Sequence, residues 1–138
     1  MKVNIFLNTS AENDEGCDKS EFFTTGEFEV IEDGFVIRYD ESGEIGYEDC
    51  SVTLSVSSEL VVIERTGAAS SALYIDKNRK HHCVYGTPYG DFTLGVNTYE
   101  IENELTEDGG KLYVRYGLDL NTDFISENKI NITVTKAE

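Results

Sequence analysis

The 138-residue chain has no tryptophan, one proline, one methionine and three cysteines. Cys17, Cys50 and Cys83 make no CxxC pair, and an odd number of thiols builds no closed disulfide framework. A reducing, cytoplasmic setting is therefore expected. Long apolar runs are missing too. Nothing approaches the ~18 residues of a membrane-spanning helix, and the opening Met1–Asn8 has too short an apolar run for a signal peptide. Positive charge is scarce, with 11 basic against 27 acidic residues and a formal charge of −16. Such a field repels phosphate backbones and anionic lipid, so neither nucleic acid nor membrane is expected as a partner. The excess is steepest early, where residues 1 to 50 hold 14 acidic side chains against Lys2, Lys19 and Arg38.

What is present favours strands. Eight Tyr and seven Phe stand out in a hydrophobic fraction of 39%, and together with the β-branched residues they suit a pleated, half-buried surface. The length fits one domain spanning residues 1–138, able to bury roughly two-thirds of its unfolded surface without disulfide staples.

Period-two alternation recurs along the whole chain. Val3, Ile5 and Leu7 begin it, and the acidic stretch Ala11–Asp18 then reads as an exposed loop. Phe22, Phe28 and Val30 mark a long strand, expected to bend or bulge at Gly26, and Asp33-Gly34 reads as the tight turn after it. Phe35, Ile37, Tyr39 and Glu41 share one face of the return strand. Cys50, Val52, Leu54 and Val56 form the cleanest amphipathic strand, and Val61, Ile63 and Arg65 share the next inward face. A polar tip, Asp76–Lys80, separates Ser71–Ile75 from His81–Tyr85. Phe92, Leu94 and Val96 alternate again, and the pattern resumes in Tyr99, Ile101 and Leu105. After the turn signal Glu107–Gly110 come Leu112, Val114, Tyr116 and Leu118, and finally Ile130, Ile132 and Val134. No long stretch has helical periodicity with caps. Some eight to ten antiparallel strands joined by hairpins predict an all-β, up-and-down barrel, since closure removes sticky edges.

Tyr39-Asp-Glu41, Arg65-Thr-Gly67, Tyr85-Gly-Thr-Pro-Tyr-Gly90 with Phe92-Thr-Leu94, and Tyr116-Gly-Leu118 stand in this order along nearly the whole chain. Their order and spacing resemble the YwiB-like family of uncharacterised bacterial proteins. The resemblance implies a single calycin-like, lipocalin-type β-barrel with a central cavity, usually cytoplasmic, and no established activity, cofactor or catalytic residue. True lipocalins carry a Gly-x-Trp signature near the start, which a chain without tryptophan lacks.

Two charges fall on inward faces, Arg65 beside Val61 and Ile63, and Glu41 beside Tyr39. A buried charge needs a partner. Either Arg65 anchors the carboxylate or carbonyl of a ligand, with Tyr39, Tyr85, Tyr89 and Tyr116 at the mouth, or Arg65 and Glu41 form an internal ion pair that closes the barrel end. Alternation places His81 and Cys83 on one face and His82 on the other, which does not assemble a tetrahedral metal site; with Lys77, Arg79 and Lys80 they read as a solvated basic tip. Asp119-Leu-Asn-Thr-Asp123 starts like a calcium loop but has Phe124 where glycine belongs and Ile130 where an acid belongs. No nucleophile motif or phosphate-binding glycine loop occurs, so no enzyme and no cofactor are expected.

The expectation is a barrel whose interior, from Phe35, Ile37, Val52, Leu54, Ile63, Phe92, Leu94, Val114 and Ile132, binds a small apolar or amphipathic molecule. The alternative is an interaction or structural module that acts through its surface. Both a monomer and a homodimer fit the sequence.

Overall fold

The computed structural model describes residues 1–41, 50–67, 71–87, 90–120 and 123–137, with the side chains of residues 41, 85–87, 90 and 91 left aside. Ten strands run β1 Lys2–Asn13, β2 Gly16–Ile31, β3 Gly34–Glu41, β4 Cys50–Val56, β5 Leu60–Gly67, β6 Ser71–Asp76, β7 His81–Thr87, β8 Gly90–Thr106, β9 Gly109–Leu120 and β10 Asp123–Lys136. Each pairs antiparallel with its neighbour in the chain, and β1 pairs with β10, so the sheet closes into an up-and-down barrel. No helix among the described residues is long and apolar enough to cross a membrane.

Closure makes the alternation count. Every second residue enters one interior, where Val3, Ile5, Phe28, Ile37, Val52, Val56, Val61, Ile75, Leu112, Val114 and Ile132 lose nearly all solvent contact. At the end that carries both termini, Phe28 stacks on Phe35 with ring centroids 5.5 Å apart. The chain ends are sewn in there: Phe28 N donates to Met1 O at 2.8 Å, and Ala137 N to Lys2 O at 3.1 Å. We call this the lower end; the β1–β2 turn marks the upper end.

Strand length divides the wall. β1, β2, β8, β9 and β10 have 12 to 17 residues, whereas β3 to β7 have 6 to 8. Because strands in a closed barrel are tilted and staggered, the long strands overhang the short ones. β2 pairs with β3 only from Gly26 to Ile31, leaving its upper part beyond the short wall. β8 pairs with β7 only as far as Val96, leaving its lower part.

Four sequence expectations are corrected. Ala11–Asp18 is not a loop, because β1 and β2 stay in register through Ala11↔Asp18, Glu12↔Cys17 and Asn13↔Gly16 around a two-residue turn, Asp14-Glu15. Asn13 Oδ1 accepts the Glu15 N–H there at 2.8 Å, the self-capping for which asparagine suits turns. Gly26 carries no bulge, since the β1–β2 register runs through it unbroken; it is small because a Cβ would meet the Arg38 carbonyl oxygen and Ile5 Cδ1. The next turn is Glu32-Asp33, one residue earlier than Asp33-Gly34, and Gly34 already pairs with Ile31. Phe92 is 44% exposed. It keeps the inward phase of Leu94 but lies two residues further toward the strand's upper end, so it does not reach the core.

The described register shifts fall elsewhere, between Thr98 and Glu100 in β8 and between Phe124 and Ser126 in β10. The first makes Tyr99 the extra residue, and its ring lies 5.1 Å under the Arg115 guanidinium. Arg115 also donates to Glu100 at 3.0 Å and Glu127 at 2.9 Å, tying the bulge to the neighbouring strands. At β6–β7 only Ser71↔Tyr85 forms a described ladder pair, and the Tyr74 N–H turns to Cys83 Sγ at 3.4 Å.

The polar tip is solvated as its composition suggests, with Lys77, Arg79, Lys80 and His82 exposed, but some of its side chains are also paired. Lys80 Nζ donates to Asp119 Oδ2 at 2.6 Å, and Asn97 Nδ2 donates to the same oxygen at 3.2 Å. Asp119, only 7% exposed, is held below the usual carboxylate range chiefly by the Lys80 hydrogen bond, with burial opposing. His81 leaves the interior to stack on Tyr74 and to lie 2.9 Å from Asp76 Oδ2.

Two outcomes are expected. Gly34→Ala drives a methyl into the Val56 carbonyl and lowers the unfolding free energy by about 1–3 kcal/mol in denaturant titrations. Asp119 has a lowered folded pKa, so its stabilisation is complete above its unfolded pKa of about 4 and fades as pH falls through the folded value. Denaturation midpoints of wild type should therefore exceed those of Asp119→Asn at neutral pH, with the gap closing in acid.

Candidate functional site

Above the packed lower layer the interior opens into a cavity of about 470 Å³. Its apolar lining is contributed one or two residues at a time: Leu7 from β1, Leu54 from β4, Ile63 from β5, Leu73 from β6, Leu94 from β8, Leu118 from β9, and Ile130 and Ile132 from β10. Toward the upper end the same inward phases continue as polar groups. Leu7 is followed by Thr9, Ile130 is preceded by Asn128, and Ser20 on β2 stands opposite Thr9. A second concavity, of about 350 Å³, lies on the outer faces of β8 to β10 among Glu102, Glu104, Lys111 and Tyr113.

Three of the six residues singled out from the sequence meet in the barrel cavity. Arg65, Tyr39 and Tyr116 all line it, from β5, β3 and β9. Arg65 stands opposite Val52 in the β4–β5 ladder and Tyr39 opposite the same Val52 in β3–β4, so backbone register brings both side chains to one level of the short wall. Tyr39 also packs against Phe22 at 6.4 Å. Tyr85 pairs with Phe92 and Ser71 through its backbone, but its side chain, the Glu41 side chain and all of Tyr89 lie outside the described residues, as does the Pro88 corner. The expected Arg65–Glu41 pair falls there too.

Tyr116 reports the dielectric of this space. Burial pushes its phenol pKa up to about 12, with the positive charge of Arg65 acting against that rise. At neutral pH the site thus presents a neutral phenol hydroxyl and a permanent cation to a mostly hydrocarbon cavity. Opposite Tyr116 on β8, the buried Thr98 Oγ1 has no hydrogen-bond partner among the described residues.

A family model described as a domain of unknown function, DUF1934, matches residues 5–132. The chain belongs to this DUF1934 family. A curated relative, the uncharacterized β-barrel protein YwiB of Bacillus subtilis strain 168, is 23% identical over 133 residues, covering 96% of this chain and 91% of its own. The crystal structure of the Bacillus subtilis protein superposes with a TM-score of 0.85 at 20% identity, covering 99% of this chain and 92% of the other. The resemblance carried by the four ordered motifs is thus correct, and the fold is shared along the full length.

Within this DUF1934 barrel, sequence reasoning missed Thr9, Ser20, Leu73 and Asn128 as cavity residues, while Leu118 and Ile130 follow the inward alternation read from the sequence. A signal existed for Thr9 and Asn128. Extending Val3-Ile5-Leu7 by the same period reaches Thr9, and extending Val134-Ile132-Ile130 backwards reaches Asn128. Polarity at those positions made them look like turn residues, although the inward phase had not changed.

Tyr116 generates a measurable outcome. Its folded pKa of about 12 lies above the ordinary value of 10.0, so the folded form holds a proton that the unfolded form releases. Stability contributed by the neutral buried phenol is complete below pH 10 and falls between pH 10 and about 12. Tyr116→Phe should flatten that fall in alkaline denaturation series, and Arg65→Met should move the late phenol titration, followed by ultraviolet absorbance, to higher pH.

Proposed function

We propose that the barrel binds a small amphipathic molecule, its apolar part among the leucines and isoleucines of the cavity and a carboxylate or carbonyl group against Arg65. The observation that carries this reading is the composition of one space inside the barrel: a mostly aliphatic lining with Arg65, Tyr39 and Tyr116 among its lining residues. Its size of about 470 Å³ lies within the roughly 300–1,000 Å³ usual for small-ligand pockets. Aliphatic walls contribute affinity through buried area without orientation, whereas a guanidinium supplies a planar set of donors matched to a carboxylate. Tyr116, kept neutral by its burial, adds a hydroxyl able to donate to the same oxygen atoms. This function requires binding alone, with no bond made or broken by the protein.

Saturated carboxylates of increasing chain length, titrated by calorimetry or by displacement of a fluorescent fatty acid, test the reading. Binding should strengthen with chain length until the cavity is filled. Arg65→Met should weaken it by roughly tenfold or more, the loss expected for one charged hydrogen-bonded contact, and Leu94→Trp, which fills the cavity, should abolish it while the barrel stays folded. Equal affinity in wild type and both variants would remove the interior as the site.

A further inference from the structure

Among the described residues the upper half of β2 is bonded on one side alone. Its β1 edge is paired from Gly16 to Glu27, but on the other edge β3 reaches only as far as Gly26, and among the described residues nothing pairs with β2 from Gly16 to Thr25. Two-residue turns at both ends of β2 fix which backbone groups are left over. The residues flanking such a turn form a hydrogen-bonded pair, and bonded and non-bonded positions then alternate. Counting from Asn13↔Gly16, the even residues bond to β1; counting from Ile31↔Gly34, the odd residues bond toward β3. The two counts agree. Cys17, Lys19, Glu21 and Phe23 therefore direct their N–H and C=O groups to the open edge.

The same odd residues are exposed, Lys19 also bordering the rim of the barrel cavity, and Phe23 is 66% exposed beside Phe6, at 6.4 Å between rings. An open edge with exposed aromatics is a template for another strand. The geometry points to a second copy of this chain as that strand: a homodimer in which the two β2 edges pair antiparallel about a two-fold axis at Ser20. Backbone bonding requires odd residues to face odd residues. Of the registers that do so, the one centred on Ser20 sets Lys19 against Glu21 of the second copy, twice, and Phe23 against Cys17, twice. Moving the axis by one residue either way sets Lys19 against Lys19 or Glu21 against Glu21. The Ser20 register forms about eight new backbone hydrogen bonds and is isologous, so it closes at two copies.

The other overhang shows the contrast. Among the described residues the lower part of β8 is also paired only with β9, but Glu100, Glu102 and Glu104 occupy successive outward positions along it. That edge repels itself and β2's acidic neighbours alike, the usual way of keeping an edge single. Lys19 instead gives β2 a charge that its own copy complements.

Sedimentation equilibrium tests the proposal on the full chain. Wild type should be a dimer. Lys19→Glu or Glu21→Lys alone sets like charges opposite each other and should raise the dimer dissociation constant by roughly tenfold, while the double variant K19E/E21K should restore the wild-type value. Both side chains are exposed surface groups, so circular dichroism should be unchanged. In a Cys17→Ser background, Ser20→Cys should give a covalent dimer on mild oxidation, because a pair at the axis has Cα atoms within disulfide range. A monomer at all concentrations, single charge reversals that leave dimerisation intact, or no crosslink at position 20 would each overturn the pairing. None of these outcomes depends on ligand binding in the cavity.

Discussion

β1 is hydrogen-bonded on both edges, to β2 from Lys2 to Asn13 and to β10 from Val3 to Glu12, and the organisation of the barrel follows from that double pairing. Nine hairpin connections alone would make a curled sheet with a first and a last edge. Joining the first strand to the last converts a sheet with two faces into a wall with an inside and an outside. From then on the phase of each strand decides the fate of each side chain. A shift of one residue would turn Val3, Ile5 and Leu7 to solvent and bring Lys2, Asn4 and Asn8 inside, so the register with β10 is held by core burial as well as by hydrogen bonds.

Inside the wall, side-chain volume decides where the barrel is solid. The lower layer takes Phe28, Ile37, Val56, Val61 and Ile75 together with the stacked Phe35, and it fills. A filled floor stabilises the domain by burying apolar area, and it frees the upper layer from having to fill. There the inward positions become Thr9, Ser20 and Asn128 around Arg65, Tyr39 and Tyr116. Small barrels are filled by side chains or leave room for one small molecule, and this one is packed at its lower end and opens into a cavity above it.

Much of this was legible because the period of a strand is local. The inward sets of β3, β4, β5 and β9 follow from alternation alone, and so does the meeting of Arg65 with Tyr39 and Tyr116. Even the β8 bulge leaves a trace, since Leu94 and Val96 are even-numbered whereas Ile101 and Leu105 are odd, and a strand changes phase only by gaining a residue. What stayed hidden depends on partners distant in sequence. Lys80 and Asp119 are 39 residues apart, so Lys80 read as part of a solvated tip and Asp119 as the start of an incomplete calcium loop. Among the described residues β2 loses its second partner because β3 stops pairing at Gly26, and nothing within β2 records where its neighbour ends. Turn positions slipped by one residue because a glycine beside a turn was taken as part of it. At Gly34 the demand for a small residue comes from Val56, at the far end of the next strand.

The overall charge of −16 bears on both the cavity and the edge, and range decides how. At physiological ionic strength, fields between exposed charges fade over about 8 Å. The acidic exterior therefore slows the approach of an anion without setting the energy of an anion already inside, where low polarity lengthens the reach of the nearest charge. Arg65 is one such charge, and its effect is already felt by Tyr116. The same short range would govern two negatively charged barrels brought together at β2 in the proposed dimer. Their mean repulsion is weak beyond contact, and at contact the facing pairs are Lys19 and Glu21. A strongly acidic surface thus keeps most faces apart while leaving local exceptions, and in this chain the exceptions sit at the cavity wall and along one strand edge.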